Sequence, residues 1–175
     1  ELALRESEEK FSTVFHQLPV AIAVTTRAEG RYLDVNEAWL RQFAYTREAV
    51  IGRTGAELDF WVDPAERARL AAYLAERPDF LCWEIEFRAC DGRVVPTECS
   101  GRIFELGGEE VVIWSAPDIT ERRRMEQALR QSEERYRSLV VTSPDAIILT
   151  DLNGIILFCN EQAVRFCESD TPERQ

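Results

Sequence analysis

Apolar positions recur at helical spacing at the start of the chain and as short β-type runs soon after. Leu4, Phe11 and Val14 lie on one face of a predicted helix within residues 1–18. Two short apolar runs in residues 21–35, separated by a turn, then predict a pair of strands. The chain is therefore expected to open with a helix followed by a β-hairpin.

Helix-start signals dominate the next segment. Asn36 is a good N-cap, and Asp63 followed by Pro64 has the order of cap and proline that begins many helices. Thr54 and Glu57 have the spacing of a capping box, which predicts a further short helix. These signals predict a cluster of short helices after the hairpin.

The period of the pattern then changes from 3.6 to 2. Trp83, Ile85 and Phe87 alternate with charged residues, residues 91–92 are an Asp-Gly turn, and residues 110–116 form another apolar run. This order of strands, helices and strands predicts an α+β fold. We expect a five-stranded antiparallel sheet with short helices on one face, flanked by amphipathic connector helices.

The chain also repeats itself. Residues 3–26, shifted by 125 positions, align with residues 128–151, and ten of the 24 pairs are identical. A period of this length is that of a whole domain with its connector. The repeat predicts four segments: an N-terminal connector helix (1–18), a first domain (19–120), a linker helix (121–142) and the N-terminal part of a second, truncated domain (143–175).

Composition narrows the function classes. The net charge of −11 argues against nucleic-acid binding and against attraction to anionic membranes, since both need clustered Lys and Arg. The five cysteines include no pair with the spacing of a metal site or redox motif, and Cys82 and Cys99 lie in apolar strand patterns where a thiol packs as a small hydrophobic group. Reduced thiols favour a cytoplasmic location. The absence of an initiator Met suggests a piece of a longer protein.

Several segments, taken in order, resemble the PAS family, specifically its bacterial sensory-box members. They are residues 60–64, the 91–92 hairpin, residues 118–122 and, in the second copy, residues 143–147. The resemblance implies a sensory module of a larger protein, such as a histidine kinase or a nucleotide cyclase. No nucleophile motif, phosphate-binding loop or metal-ligand cluster favours an enzyme.

The resemblance also bears on cofactors. Members with a covalently attached flavin carry a reactive Cys on a short helix, but the matching residues 52–58 contain none. Haem-binding members place a His on the long helix, whereas His16 precedes the domain and is expected to be a surface or interface side chain. Citrate-type members have a basic pocket, and the strands here show no matching cluster. Haem and covalent flavin are therefore not expected.

The aromatic residues leave two interpretations open. The first is ordinary core packing, because large aromatic side chains dominate small cores. The second is a pocket for a planar ligand, such as a non-covalently bound flavin. The candidate pocket residues are Trp39, Phe43, Phe60, Trp61, Trp83, Phe87 and Trp114.

The closing segment of the first domain is a candidate signal relay. Asp118 and Glu121 have capping-box spacing, so the last strand should pass directly into the linker helix through Ile119 and Thr120. A ligand-induced shift of the sheet would then move the start of that helix.

Two amphipathic helices suggest a homodimer. Their apolar positions have the spacing of a short coiled-coil seam, made of Leu4, Phe11, Val14, Met125, Leu129, Tyr136 and Leu139. The competing interpretation is that each stripe packs on the sheet of its own domain.

Two functions stay open for the chain. One is a sensor of a small molecule, and the other is a ligand-free dimerisation module that only transmits conformational change.

Overall fold

The computed structural model describes residue 10 and residues 12–169, apart from the side chains of residues 167–169. Two of the predicted seam residues, Leu4 and Phe11, lie outside the described residues. The chain divides into two compact units, Glu1–Glu121 and Arg122–Gln175.

The first unit is an α+β domain. Its strands form one five-stranded sheet in the order β2-β1-β5-β4-β3, with each neighbouring pair antiparallel. This confirms the predicted fold class. In chain order the elements are α1 (residues 12–17), β1 (Ile22–Thr26), β2 (Tyr32–Val35), α2 (Glu37–Phe43), α3 (Arg47–Val50), α4 (Pro64–Glu76), β3 (Asp79–Arg88), β4 (Val94–Leu106) and β5 (Glu109–Ser115).

Two of the predicted helix starts form as expected. The Asn36 side chain accepts a hydrogen bond from the Trp39 amide at 2.9 Å and begins α2. Asp63 accepts one from the Ala65 amide at 2.9 Å and begins α4, with Pro64 in its first turn. Each cap satisfies an amide that has no partner within its helix.

The third predicted helix start is corrected. Thr54 and Glu57 make both reciprocal hydrogen bonds of a capping box, at 2.7 and 3.2 Å, but the segment is a series of turns and not a helix. These bonds to Thr54 lower the pKa of Glu57 from its usual value. Both hydrogen bonds of the capping box therefore form although no helix follows Thr54.

Strand β3 follows the predicted alternation from Trp83 to Phe87, but the stretch before Trp83 is irregular. A bulge between Phe80 and Trp83 places three steps on β3 against two on β4. Cys82 lies in this bulge with a φ of 52°, and both it and Leu81 are exposed. The expectation that Cys82 packs as a buried hydrophobic group is therefore wrong, because the extra residue turns this stretch outwards.

Helix α5 (Thr120–Thr142) begins at the end of the first unit and continues into the second, followed by β6 (Ile148–Thr150), β7 (Ile156–Cys159) and α6 (Glu161–Ser169). The β6–β7 hairpin repeats the β1–β2 hairpin in detail. The paired residues Ala23–Val35 in the first hairpin correspond to Ile148–Cys159 in the second. In both hairpins the strand register shifts at the same place, just after the residue that follows Ala23 or Ile148. The repeat seen in the sequence is thus also a repeat of strand register.

Candidate functional site

A cavity of about 110 Å³ lies between the sheet and helix α4. Strands β3, β4 and β5 supply one wall, α4 supplies another, and the β1–β2 turn forms the rim. Most of the inner wall is apolar and aromatic, with Tyr32, Trp61, Phe80, Ile85, Phe87 and Trp114 among its side chains. An apolar cavity with few polar groups is the usual form of a small-molecule site.

Three of the seven aromatic residues predicted from the sequence line this cavity, namely Trp61, Phe87 and Trp114. Their rings are adjacent, since the Phe87 centroid lies 5.0 Å from that of Trp61 and 5.8 Å from that of Trp114. These contacts span β3, β5 and the segment before α4. These three residues therefore lie where an aromatic pocket would need them, and the pocket interpretation stays a prediction.

The other four do not line the cavity. Trp39, Phe43 and Phe60 are fully buried and pack on one another, with centroids 4.8 to 5.4 Å apart. Trp83 packs edge-on against Tyr73 at 5.2 Å, and its indole Nε1 donates to Glu66 at 3.2 Å. For these residues the packing interpretation fits better, because the first three pack on one another and Trp83 packs on α4.

Two polar side chains of the inner wall were not predicted as site residues. Tyr32 is 3% exposed, and no hydrogen bond joins its hydroxyl to the described residues. Burial raises its pKa well above the usual value. A donor of this kind in an apolar wall is available to a ligand or a water molecule.

Cys99 is the second polar group of the inner wall. Its Sγ lies 3.3 Å from Thr97 Oγ1, which donates its single proton to the Ile85 carbonyl at 2.9 Å. The thiol must therefore be the donor to Thr97. Burial raises the pKa of Cys99 to about 12, so the thiol stays protonated at neutral pH. The alternating pattern of β4 in the sequence predicts that Cys99 is buried. That it lines a cavity is seen only in the structure.

The rim of the cavity is charged. Arg67 on α4 donates to the Glu29 carbonyl at 2.7 Å, and Arg27 after β1 donates to the Leu74 carbonyl at 2.8 Å. These two bonds join the β1–β2 turn to α4. The partners are 38 and 47 positions apart in sequence, so no local motif could have predicted these contacts.

A continuous path of backbone hydrogen bonds leads from the cavity wall to α5. After Trp114 the chain stays paired with β4, since the Ile119 amide donates to the Pro96 carbonyl at 3.0 Å and Thr97 forms a β-bridge with Asp118. The Asp118 side chain then accepts from the Thr120 amide at 2.7 Å and caps α5. The predicted cap is present, but it binds the amide two residues ahead instead of that of Glu121.

The described seam residues are exposed. Val14 is 60% exposed, and the four positions of α5 are between 62% and 69% exposed. Helix α5 has no buried residue at all. The exposed positions are Val14, Met125, Leu129, Tyr136 and Leu139, and both interpretations of the stripe stay predictions.

Other candidate sites are weaker. The His16 ring nitrogen Nδ1 lies 3.3 Å from the Arg47 guanidinium, away from the cavity lining, as expected for a side chain on the connector helix. Among the described side chains, which exclude those of residues 167–169, no three His, Cys, Asp or Glu residues converge in a way that could hold a metal ion. In the same part of the chain, no helix has the length and hydropathy needed to cross a membrane.

Comparison with known proteins gives the same fold. A family model described as PAS fold matches residues 15–124, and one described as PAS domain matches residues 134–174. The PAS domain of an HTR-like protein from Haloarcula marismortui superposes with a TM-score of 0.58 at 23% identity. That comparison covers 67% of this chain and 95% of the other.

Two curated proteins are similar over almost the whole chain. A methyl sulfide methyltransferase-associated sensor of Methanosarcina acetivorans is 28% identical over 170 residues, 95% of this chain and 16% of its own length. Sporulation kinase E of Bacillus subtilis is 25% identical over 163 residues, 93% of this chain and 21% of its own length. The chain thus spans about a fifth or less of the length of these relatives.

Proposed function

The chain belongs to the PAS family, and from that premise we propose that it is a sensory signal-transduction module of a larger protein. In this proposal a small molecule occupies the cavity beneath α4, and its binding shifts the start of α5. The chain itself carries out no catalysis; a histidine kinase or nucleotide cyclase elsewhere in the protein is the output. Two similar proteins, one named a sensor and one a kinase, support this reading.

The proposal rests on one observation: strands β4 and β5 both line the cavity and both connect to the start of α5. On β5, Trp114 lines the cavity four residues before Asp118, which caps α5. On β4, Cys99 lines the cavity two residues after Thr97, which bridges Asp118. A ligand that moves either wall residue therefore acts directly on the strand pairing that holds the relay residues Asp118, Ile119 and Thr120.

The size of the cavity bears on the ligand. Drug-sized ligands occupy pockets of about 300–1,000 Å³, whereas this cavity holds about 110 Å³. A three-ring flavin needs the walls to move apart, so we favour a ligand smaller than a flavin. Haem and covalently attached flavin are not proposed, because residues 52–58 lack Cys and His16 lies outside the cavity lining.

The proposal is tested by releasing bound molecules from purified protein. Wild-type protein is denatured, and the supernatant is analysed by absorbance and mass spectrometry. The matched control is Cys99→Leu, which fills the cavity at a cost of about 1–3 kcal/mol in stability, with folding checked by circular dichroism. We expect a small molecule from the wild type and less of it from the variant. If nothing is released, and benzene also fails to perturb the Trp114 indole signal, the ligand-free module is favoured instead.

A second proposal, of a homodimer, rests on the exposed stripe of α5. Apolar residues on the surface of a helix at heptad spacing are stabilised when a second helix covers them. Ion pairs such as Arg130–Glu134 at 3.2 Å lie on other faces of the helix and leave the stripe clear. We propose that a second copy of this chain covers it. A cytoplasmic location is proposed on the free cysteines alone.

A further inference from the structure

The rim of the cavity holds one positive charge that no carboxylate balances. Of the charged groups that line it, Arg27 pairs with Glu110 at 2.7 Å, and the Glu29 carboxylate pairs with Arg31 at 2.8 Å. Among the side chains that the structure describes, no carboxylate forms an ion pair with Arg67. Its guanidinium is bound instead to a neutral backbone carbonyl, that of Glu29, at 2.7 Å.

An unbalanced guanidinium beside an apolar cavity favours an anionic ligand. Arg presents several donors in a planar fork that fits the two oxygens of a carboxylate. The net charge of −11 disfavours anions near this chain, so a local positive group is needed to hold one. Binding a carboxylate would exchange a neutral acceptor, the Glu29 carbonyl, for a charged one.

The cavity sets the size of the rest of the ligand. An engineered cavity of roughly 150 Å³ is known to hold benzene, and this one measures about 110 Å³ with part of its volume at an open rim. The volume limits the ligand to about one ring, and Trp61, Phe87 and Trp114 in the lining offer faces and edges that suit aromatic contacts. A second carboxylate would be placed against this apolar wall, where it has no cationic partner.

We propose that the cavity binds a small aromatic monocarboxylate, with its ring against Phe87 and Trp114 and its carboxylate on Arg67. This inference rests on the proposed sensory function and adds the chemical class of the ligand. Binding draws Arg67 away from the Glu29 carbonyl and so loosens one of the two bonds that join the β1–β2 turn to α4.

The test uses two probes of nearly equal shape, benzoate and neutral benzamide, titrated into the full 175-residue chain by calorimetry. Wild-type protein is compared with Arg67→Gln and with the control Arg69→Gln. Arg69 lies on the same helix, but its guanidinium pairs with Asp63 at 3.0 Å and with Glu66, and it does not line the cavity. Folding of all three proteins is checked by thermal unfolding.

We expect benzoate to bind the wild type, and Arg67→Gln to weaken it by about 10- to 100-fold, as for loss of a charge-assisted hydrogen-bond pair. Benzamide affinity should be the same in all three proteins, and Arg69→Gln should leave benzoate affinity unchanged. Arg67→Lys should restore part of the loss, because it keeps the charge without the fork.

The outcomes separate this inference from the function on which it rests. Equal binding of benzamide and benzoate, or an equal effect of Arg67→Gln and Arg69→Gln, overturns the anionic ligand while leaving a cavity that binds small molecules. Failure of both probes, together with release of a neutral compound from denatured wild type, also overturns the anionic ligand and leaves a cavity that binds small molecules. Failure of both probes and of benzene, with nothing released, overturns the sensory proposal as well.

Discussion

Asn36 joins three elements through one buried amide side chain. Its Oδ1 accepts from the Ile22 amide at 3.0 Å and from the Trp39 amide, and its Nδ2 donates to the Val20 carbonyl at 2.8 Å. Asn160 makes the corresponding bonds in the second unit, accepting from the amides of Ile147 and Ala163. The sequence identified Asn36 only as a helix cap, since its bonds to the preceding strand depend on the hairpin register.

Replacing Asn36 by Ala should lower the free energy of unfolding of the first unit by about 3 kcal/mol. The estimate follows because one buried amide, one partly buried amide and one carbonyl lose their partner, at about 1–3 kcal/mol for each unsatisfied group with partial relaxation. Urea unfolding measures the change. Gln127→Ala on the exposed face of α5 is the control and should cost almost nothing. A loss below about 0.5 kcal/mol for Asn36→Ala, the usual limit for surface sites, would contradict this role.

The Cys99 thiol gives stability a dependence on alkaline pH. Its pKa is about 12 in the folded protein against an ordinary value of 9.0, so between these values the folded state keeps a proton that the unfolded state has lost. Stability is then unaffected below about pH 9 and falls as pH rises through the window, by about 1.4 kcal/mol per pH unit.

We therefore expect wild-type protein to lose more stability between pH 8 and pH 10.5 than Cys99→Val, a variant of similar volume without the thiol. Thermal unfolding at the two pH values measures the difference. Cys90→Ser changes an exposed thiol and should follow the wild type. Parallel curves for the wild type and Cys99→Val would show that the thiol is not buried in solution.

At the scale of elements, local signals predicted most of the strands and the helices that begin at Asn36 and Asp63. They failed where tertiary contacts decide the outcome. The bulge at Cys82 shifts alternation without any turn residue to announce it, and the Thr54 capping box closes a turn because no helical stripe follows. The site was predicted in part for the same reason. Strand periodicity found Phe87, but nothing in the sequence brings Arg67 beside the β1–β2 turn.

The stripe on α5 should hold two chains together. Leu129→Glu in both chains would place two carboxylates in the seam, which is costly unless the helices separate. We expect the mass from light scattering to halve while the first unit keeps its thermal stability. Gln131→Glu adds the same charge two positions away and should leave the mass unchanged. A wild-type protein that is already monomeric at tens of micromolar would contradict the proposal directly.

For the molecule as a whole, each unit contains a copy of the same hairpin, and the two copies differ in how much of their surface is buried. Strand β1 lies between β2 and β5 and buries alternate residues, whereas every residue of β6 and β7 is exposed. A two-stranded hairpin with no buried face is marginal in water.

Amide hydrogen exchange in the 175-residue chain should reveal this difference between the units. We expect the amides of β6 and β7 to exchange much faster than those of β1 and β5, because their opening exposes no buried core. The matched comparison is between Ala23 and Ile148, which occupy equivalent positions of the two hairpins. Equal protection at these two positions would mean that another chain or segment covers the second hairpin in solution.

The central claim is that occupancy of the cavity is transmitted to the start of α5, and nuclear magnetic resonance tests it most directly. Benzene binds an engineered apolar cavity of roughly 150 Å³ without depending on any charge. It is therefore the probe for this cavity of about 110 Å³ with its open rim, and the indole signals of Trp61 and Trp114 report its arrival. The account predicts that the amide signals of Ile119 and Thr120 shift on the same binding curve as the indoles, while that of Gly92 in the distant hairpin does not. Indole shifts without any change at Ile119 and Thr120 would contradict it.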